Sequence, residues 1–401
     1  MGKDVVLITN FWHFKCEKAS SRYLSLANTL VKDGYKLEVI TSDFYHRTKK
    51  IRNFSEDFLN SFDYKITLLH ECSYKKNISF RRLYAHHFFS KQVLQYLKTR
   101  KKPDVVIVVI PTHEVAKKVV DFCNKNNIPV ILDIQDLWPE AFQMAFDIPI
   151  ISNLAFWPIK KEADFAYKNA NYIIGVSNEY VNRALKSNPN QINKTTIYLG
   201  SDYMYARNAI KNIDVVKPKQ EFWITYIGAL GYSYNIKLVI DAIAKLKTRG
   251  ISNIRFHIFG NGVLENEFKD YANRKGVETV FFGHTEYGKM MAWLSHTDIA
   301  VNPITGKSVA SIINKVCDYA TAGVPVINDQ NCIEYRALIE EYKCGINCEN
   351  GNIDEFSDAI FELYNNLELR KKMGVNALIM AQEKFNREKT YGGFIKAIES
   401  F

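Results

Sequence analysis

The sequence predicts an α/β protein of two doubly wound, Rossmann-like domains in tandem, facing one another across a cleft. Three observations carry that expectation. Short apolar runs rich in Val and Ile alternate with helix-spaced apolar positions from end to end, as in parallel strands buried on both faces. The alternation restarts midway, after a polar stretch (residues 205–219) with neither strand nor helix period. The length, 401 residues, suits two domains.

In chain order, the first half offers strands at residues 5–9 (VVLIT), 37–41 (LEVIT), 105–110 (VVIVVI), 130–133 (VILD) and 172–176 (YIIGV). Between the first two, Tyr23, Leu24, Leu26, Ala27, Leu30 and Val31 share one helical stripe, which Asp33-Gly34 stops. The unit is a right-handed strand–helix–strand crossover. The second half offers strands at 222–227 (FWITYI), 255–259 (RFHIF), 280–282 (VFF), 299–301 (IAV) and 324–327 (VPVI), with helices over 237–247, 264–275 and 311–322. The expected division is 1–205 and 206–384, with a last helix over 385–401 packing back on the first domain.

Composition narrows the class. At 47% hydrophobic and 24% charged, the chain is ordinary for a folded protein. No run of eighteen apolar residues is present, so no membrane span is expected. The start (MGKDVVLITNFW) carries Asp4 at once and reads as a strand rather than a signal peptide. Seven cysteines build no disulfide framework, and Cys344 with Cys348 lacks the second pair or nearby His of a metal site. Reduced thiols in a cytoplasmic setting are the expectation.

The charge is +10, from 53 Lys and Arg against 43 Asp and Glu. Residues 1–205 hold 29 basic and 20 acidic side chains, and residues 206–401 hold 24 and 23, so the excess sits in the first half. Residues 72–103 contain Lys75, Lys76, Arg81, Arg82, Lys91, Lys98, Arg100, Lys101 and Lys102 with no acidic residue. Phe80, Leu83, Tyr84, Phe88, Val93, Leu94 and Leu97 recur there at helical spacing. A cationic, aromatic, amphipathic segment of this kind lies on anionic lipid, or docks on its own domain with solvated lysines. Peripheral attachment to an anionic membrane surface across residues 75–102 is the expectation.

Open parallel sheets bind ligands outside the carboxyl ends of their strands, which selects the loops to inspect. Gly228-Ala-Leu-Gly231 follows FWITYI and precedes a helix, so its small residues suit close approach to a diphosphate or simply a tight turn. Gly260-Asn-Gly262 lacks the third glycine of the dinucleotide fingerprint, having Glu265 instead. The first strand is followed by Asn10-Phe11-Trp12-His13-Phe14, which disfavours a nicotinamide dehydrogenase. On the helix over 311–322, Lys315 and Asp318 share a face. Asp318 suits a pair of ribose hydroxyls and Lys315 a phosphate; the same pair is also an ordinary surface salt bridge.

Gly306, Ser308, Asn314, Lys315, Asp318, Tyr319, Gly323, Pro325, Val326 and Ile327 form a motif that resembles the nucleotide-sugar site of GT-B glycosyltransferases. It looks most like family-4 retaining enzymes that build bacterial capsule, O-antigen or other surface glycans. The resemblance runs through nearly the whole chain. Arg22 to Thr41 is similar to the family's first strand–helix–strand unit, and Asp133, Asp136, Trp138, Pro139 and Glu140 resemble a D-x-W-P-E segment of one branch. Ser177-Asn178 and Gly200-Ser-Asp202 sit where the family reads VS and NG-x-D.

The resemblance implies transfer of a sugar from a nucleotide-sugar, a UDP-sugar in the first instance, to a hydroxyl of a glycan or polyprenyl-linked acceptor. It implies retention of configuration, no cofactor or metal, and stabilisation of the leaving diphosphate by helix dipoles and lysine. The donor set it implies is Gly228, Leu230, Gly231, Asn235, Gly260, His284, Ala310, Ser311, Asn314, Lys315 and Asp318. Ala310 stands where many relatives carry the first of two glutamates, and Ala229 and Asn235 where many carry Arg and Lys. The diphosphate charge then falls to Lys315, Lys307 and the N–H groups of residues 228–231.

On the first domain, Asp133, Asp136 and Glu140 are the candidates to orient the acceptor hydroxyl or take its proton, with His13 as a further candidate. Asp133 also reads as a strand-end cap, Trp138 as a sugar platform or a core residue, and His86-His87 as surface. Two other classes stay open. A UDP-sugar 2-epimerase shares the architecture but wants paired carboxylates and His. A single-stranded nucleic-acid binder would use the basic, aromatic segment but not the nucleotide-sugar motif, so no nucleic-acid partner is expected.

Overall fold

The computed structural model describes residues 2–17, 22–77, 79–138, 149–306 and 312–401, with backbone alone over 149–155. Two compact units divide the chain: Met1–Ile197 with Tyr391–Phe401, and Tyr198–Thr390. Both are parallel α/β units.

Unit 1 is built on a seven-stranded sheet in the order β5-β2-β1-β6-β7-β8-β9. Its strands are β1 (Asp4–Ile8), β2 (Lys36–Ser42), β5 (Lys65–Leu69), β6 (Val105–Ile110), β7 (Val130–Ile134), β8 (Tyr172–Gly175) and β9 (Lys194–Thr196). Every pairing in it is parallel. A two-stranded antiparallel ribbon, β3 (Phe44–Tyr45) with β4 (Lys50–Ile51), follows β2. All six residues of β6 are buried, as a strand covered on both faces must be. Helix Gly392–Glu399 belongs here: Phe394, Ala397 and Ile398 share a core with Val5, Leu7 and Leu26, and Lys3 donates to the Ile398 carbonyl at 2.9 Å.

Unit 2 carries a six-stranded parallel sheet in the order β12-β11-β10-β13-β14-β15. These are β10 (Phe222–Ile227), β11 (Ile254–Phe259), β12 (Thr279–Gly283), β13 (Ile299–Asn302), β14 (Val326–Asn328) and β15 (Gly345–Asn347). Strand order reverses between β1 and β6 in unit 1 and between β10 and β13 in unit 2. Such switch points leave a crevice at the carboxyl ends of the flanking strands.

Two expectations need correction. The boundary lies at Ile197/Tyr198, ahead of the expected 205/206, because residues 203–212 are not a linker. Tyr203–Asn212 is a helix capped by Asp202, whose side chain accepts the Tyr205 N–H, and its buried Ala206 joins the unit 2 core. Tyr203, Ala206 and Ile210 pack on that core at helical spacing, but a stripe this short among polar and basic neighbours is a weak signal in the sequence.

The basic segment also differs from a single amphipathic face. Helix Phe80–Thr99 packs Ala85, Phe89, Val93 and Leu97 inward and buries Arg82 and His86 with them. Arg100 is paired with Asp4 and Glu38. Phe80 (91% exposed), Leu83 and Tyr84 stay outside, near exposed Lys75, Lys76 and Arg81. The apolar residues thus split between a docked face and an outward patch at the helix start. No helix among the described residues is long and apolar enough to cross a membrane.

Candidate active site

The glycines at the unit 2 switch point serve, first, close backbone packing. Gly228 (φ +143°) donates its N–H to Phe259 O at 2.9 Å, and Gly260 (φ +135°) donates to Gly283 O at 2.8 Å. A Cβ on Gly260 would sit 1.9 Å from Gly228 O, and one on Gly262 would sit 2.2 Å from Leu230 O. The Leu230 N–H goes to Asn261 O at 3.0 Å, and its side chain is buried. The amides of Gly228 and Leu230 are therefore committed to the neighbouring loop, and the expected four-amide anion cradle over 228–231 is at most half available. Asn235 caps helix Ile236–Thr248, accepting the Leu238 N–H at 3.2 Å, while its own N–H reaches Pro303 O. His284 is exposed in the loop after β12.

Above this scaffold sits Lys315. Helix Asn314–Ala322 starts with Asn314 exposed and Lys315 buried in its first turn, and ends on Gly323 at φ +75°. The Lys315 amine lies 4.0 Å from the ring centroid of Tyr226 and 4.0 Å from that of Tyr234. A Cβ on Gly228 would come within 3.0 Å of Nζ, so only a glycine leaves the amine this close to the loop. Lys315 Nζ has no hydrogen-bond partner among the described residues. Burial pushes its pKa well below the ordinary lysine range.

Asp318 faces other partners. Its Oδ1 accepts the Tyr287 hydroxyl at 2.7 Å, and burial lifts its carboxyl to about 6 against the opposing pull of Tyr287 and Arg387. Lys315 and Asp318 form no salt bridge, because one points to the tyrosine rings and the other to Tyr287. The ribose contact expected of Asp318 would share the carboxylate with that hydroxyl. Three further residues escaped the sequence reading. Tyr226 lies in the strand FWITYI and Tyr234 just beyond Gly231, and the sequence reading assigned neither a role. Asp329, buried after β14, accepts the Ile304 N–H at 2.7 Å and so fixes the loop after β13, and burial raises its carboxyl to about 6. The run Asn328-Asp329-Gln330 after an apolar strand was the available signal. Ala310, Ser311 and Lys307 lie outside the described residues.

In unit 1 the expected carboxylates divide. Asp133 is fully buried, ion-paired with Arg22 at 3.0 Å and held by Tyr23 (3.3 Å) and Gln135 (3.2 Å). A carboxylate locked to a buried guanidinium has no face for an acceptor, so its expected catalytic role is corrected to a structural one. Asp136 Oδ2 accepts the Trp138 indole N–H at 2.9 Å, and burial raises its pKa. Trp138 is buried: Arg82 lies 4.5 Å over its ring and His86 stacks 6.1 Å away. It is a core residue of this cluster rather than an open sugar platform.

His13 packs edge-on against Tyr45 at 5.6 Å, and burial, then Arg47, lowers it to about 4, so it is a neutral imidazole. Glu140 lies outside the described residues. The sequence placed His86 on the surface, yet it is buried with Nε2 3.9 Å from Glu71 Oε1. Burial lifts Glu71 to about 7. Asn10 and Thr112, hydrogen-bonded at 2.9 Å, mark the carboxyl ends of β1 and β6, and Asn10 also donates to Glu71 at 3.3 Å. Glu71 was missed because it follows its strand with no motif around it.

Two parallel α/β units are an arrangement that known proteins share, and in this chain one switch point carries a lysine unpaired among the described residues. Residues 209–379 match the family described as glycosyl transferases group 1, and the fold is that of GT-B glycosyltransferases. Among particular proteins, the chain is similar to a poly(ribitol-phosphate) alpha-N-acetylglucosaminyltransferase of Staphylococcus aureus, 24% identical over 57% of this chain and 44% of that protein. It is also similar to an uncharacterized glycosyltransferase of Methanocaldococcus jannaschii, 22% identical over 59% of this chain and 61% of the other. The chain thus spans about half to three-fifths of these relatives' lengths. The structure of Anabaena HepE in complex with UDP superposes with a TM-score of 0.71 at 13% identity, over 99% of this chain and 100% of that one, a likeness of fold.

Proposed function

We propose that the chain transfers a sugar from a UDP-sugar to a hydroxyl of a glycan acceptor, with retention of configuration and without a metal. Unit 2 takes the donor and unit 1 the acceptor. The observation that carries the reading is Lys315 Nζ, buried against Gly228 at the unit 2 switch point with no hydrogen-bond partner among the described residues. A buried amine with no counter-charge among the described residues, at the start of a helix whose free N–H groups favour anions, calls for a diphosphate. The group 1 match over the same unit and the UDP held by the HepE structure support a nucleotide-sugar as its source.

Departure of the nucleoside diphosphate develops negative charge on its β-phosphate oxygens. Lys315 and the start of helix Asn314–Ala322 stabilise that charge as it forms. A thermal-shift series with UDP, UDP-sugars, GDP-sugars and single-stranded RNA tests the reading. UDP and a UDP-sugar are expected to raise the melting temperature in the presence of a chelator. Stabilisation by RNA alone would overturn it.

The acceptor is proposed to be polyprenyl-linked and used in surface-polysaccharide synthesis, with the enzyme resting on the inner face of the cell membrane. Exposed Phe80, Leu83 and Tyr84 beside Lys75, Lys76 and Arg81 support this, pairing apolar insertion with attraction to anionic headgroups. In flotation with vesicles containing phosphatidylglycerol, Phe80→Ser combined with Lys75→Gln and Lys76→Gln is expected to leave most of the protein at the bottom of the gradient. Equal flotation of wild type and variant would remove the membrane reading.

A further inference from the structure

Among the described residues Lys315 is the one buried lysine, and its surroundings are built from both sides of the switch point. Tyr226, in β10, donates its hydroxyl to Ala229 O at 2.8 Å and so ties the loop that leaves its own strand. Tyr234 forms an isolated bridge with Ile304, while Thr305 N–H donates to Ser233 O at 3.0 Å. The two rings pack edge to face with centroids 5.9 Å apart. Lys315 enters between them, and half-buried Gly228 covers its amine.

We propose that Tyr226 and Tyr234 are positioning residues that hold Lys315 as a neutral amine, so that binding of a nucleoside diphosphate takes up a proton at Nζ. The inference rests on the donor reading above and deepens it. The step balances simply: a buffer acid loses a proton and is left as its conjugate base, the nitrogen lone pair takes that proton to form the third Nζ–H bond, and no bond of the diphosphate changes.

The physical argument is a competition. An ammonium has three donors, and none finds an acceptor here among the described residues. Two ring faces attract a cation, but they do not replace the hydration that burial removes. Among the described residues no carboxylate compensates. Asp318, on the same helix, is turned to Tyr287; Asp329, after β14, is held by Ile304 N–H; the Tyr319 hydroxyl donates to Val301 O. Tyr226 and Tyr234 themselves ionise far above neutrality because burial raises both. Burial likewise keeps the Lys315 amine well below its usual range. A diphosphate lodged against Gly228 supplies both charge and acceptors, and reverses the balance.

The test is titration calorimetry of UDP at about pH 8.5 in two buffers of different ionisation enthalpy. Wild type is expected to take up about one proton per UDP, with affinity falling roughly tenfold per pH unit through that range. Lys315→Met is expected to bind UDP more weakly and take up no proton, which excludes the phosphate as the site of uptake. Tyr234→Phe keeps the ring and should behave as wild type. Tyr234→Leu admits water to the amine, and uptake at the same pH should fall while UDP still binds. UDP binding by wild type without proton uptake overturns the proposal, as does full uptake by Lys315→Met. Failure of UDP to bind at any pH would instead remove the donor reading itself.

Discussion

Lys315→Met is expected to lower kcat/KM for a UDP-sugar by about two to three orders of magnitude, or ~3–4 kcal/mol of transition-state stabilisation, the scale of losing one preorganised charge-stabilising donor. The fold should not suffer. Met has nearly the same length and packs between Tyr226 and Tyr234 without a buried amine to desolvate, so the melting temperature should hold or rise. The measurement pairs steady-state kinetics with thermal unfolding. Wild-type kcat/KM in a folded Lys315→Met protein would show that the diphosphate is met elsewhere.

Asp133→Ala should act in the opposite way, on stability before chemistry. It strands Arg22 in the interior with its counter-ion gone, and breaking a buried pair on one side costs about 3–5 kcal/mol. Tyr23 and Gln135 lose an acceptor at the same time. Urea unfolding should show a large drop in midpoint for unit 1. The double variant Arg22→Met with Asp133→Leu should recover much of it, because apolar residues of similar volume can replace a buried pair. Full stability with abolished turnover for Asp133→Ala would return Asp133 to a direct role in the reaction.

The fold was largely legible because its signals are local. Val105 to Ile110 is apolar throughout and Gly323 ends a helix, and neither depends on distant residues. The short strand β15, by contrast, reads as a loop, since GIN has no period and is a strand only because β14 offers an edge to pair with. Helix Tyr203–Asn212 was missed because its stripe, Tyr203, Ala206 and Ile210 against the unit 2 core, is short and set among polar residues.

The site was legible by residue type and not by partner. Sequence pointed to Lys315 and Asp318 together. The backbone turns them apart, toward ring faces in one case and the Tyr287 hydroxyl in the other. Asp133 and Asp136 looked alike as acidic residues near a strand end. One is locked to Arg22 and the other to an indole N–H. Glu71 and His86, separated by a turn of chain and lacking any motif, became neighbours only through the packing of helix Phe80–Thr99 against the sheet.

By itself the sequence determined two parallel α/β units, the loops at their strand ends, and the lysine that an anionic donor would need. Those follow from periodicity and residue chemistry, which are properties of short segments. The tertiary structure decided which charges are paired and which are left unpaired. Burial sets the cost of a charge and geometry sets its compensation, and neither is local in the chain. Arg22 finds Asp133 across 111 positions of sequence, while among the described residues Lys315 finds Tyr226, Tyr234 and the backbone of Gly228 and no charge partner.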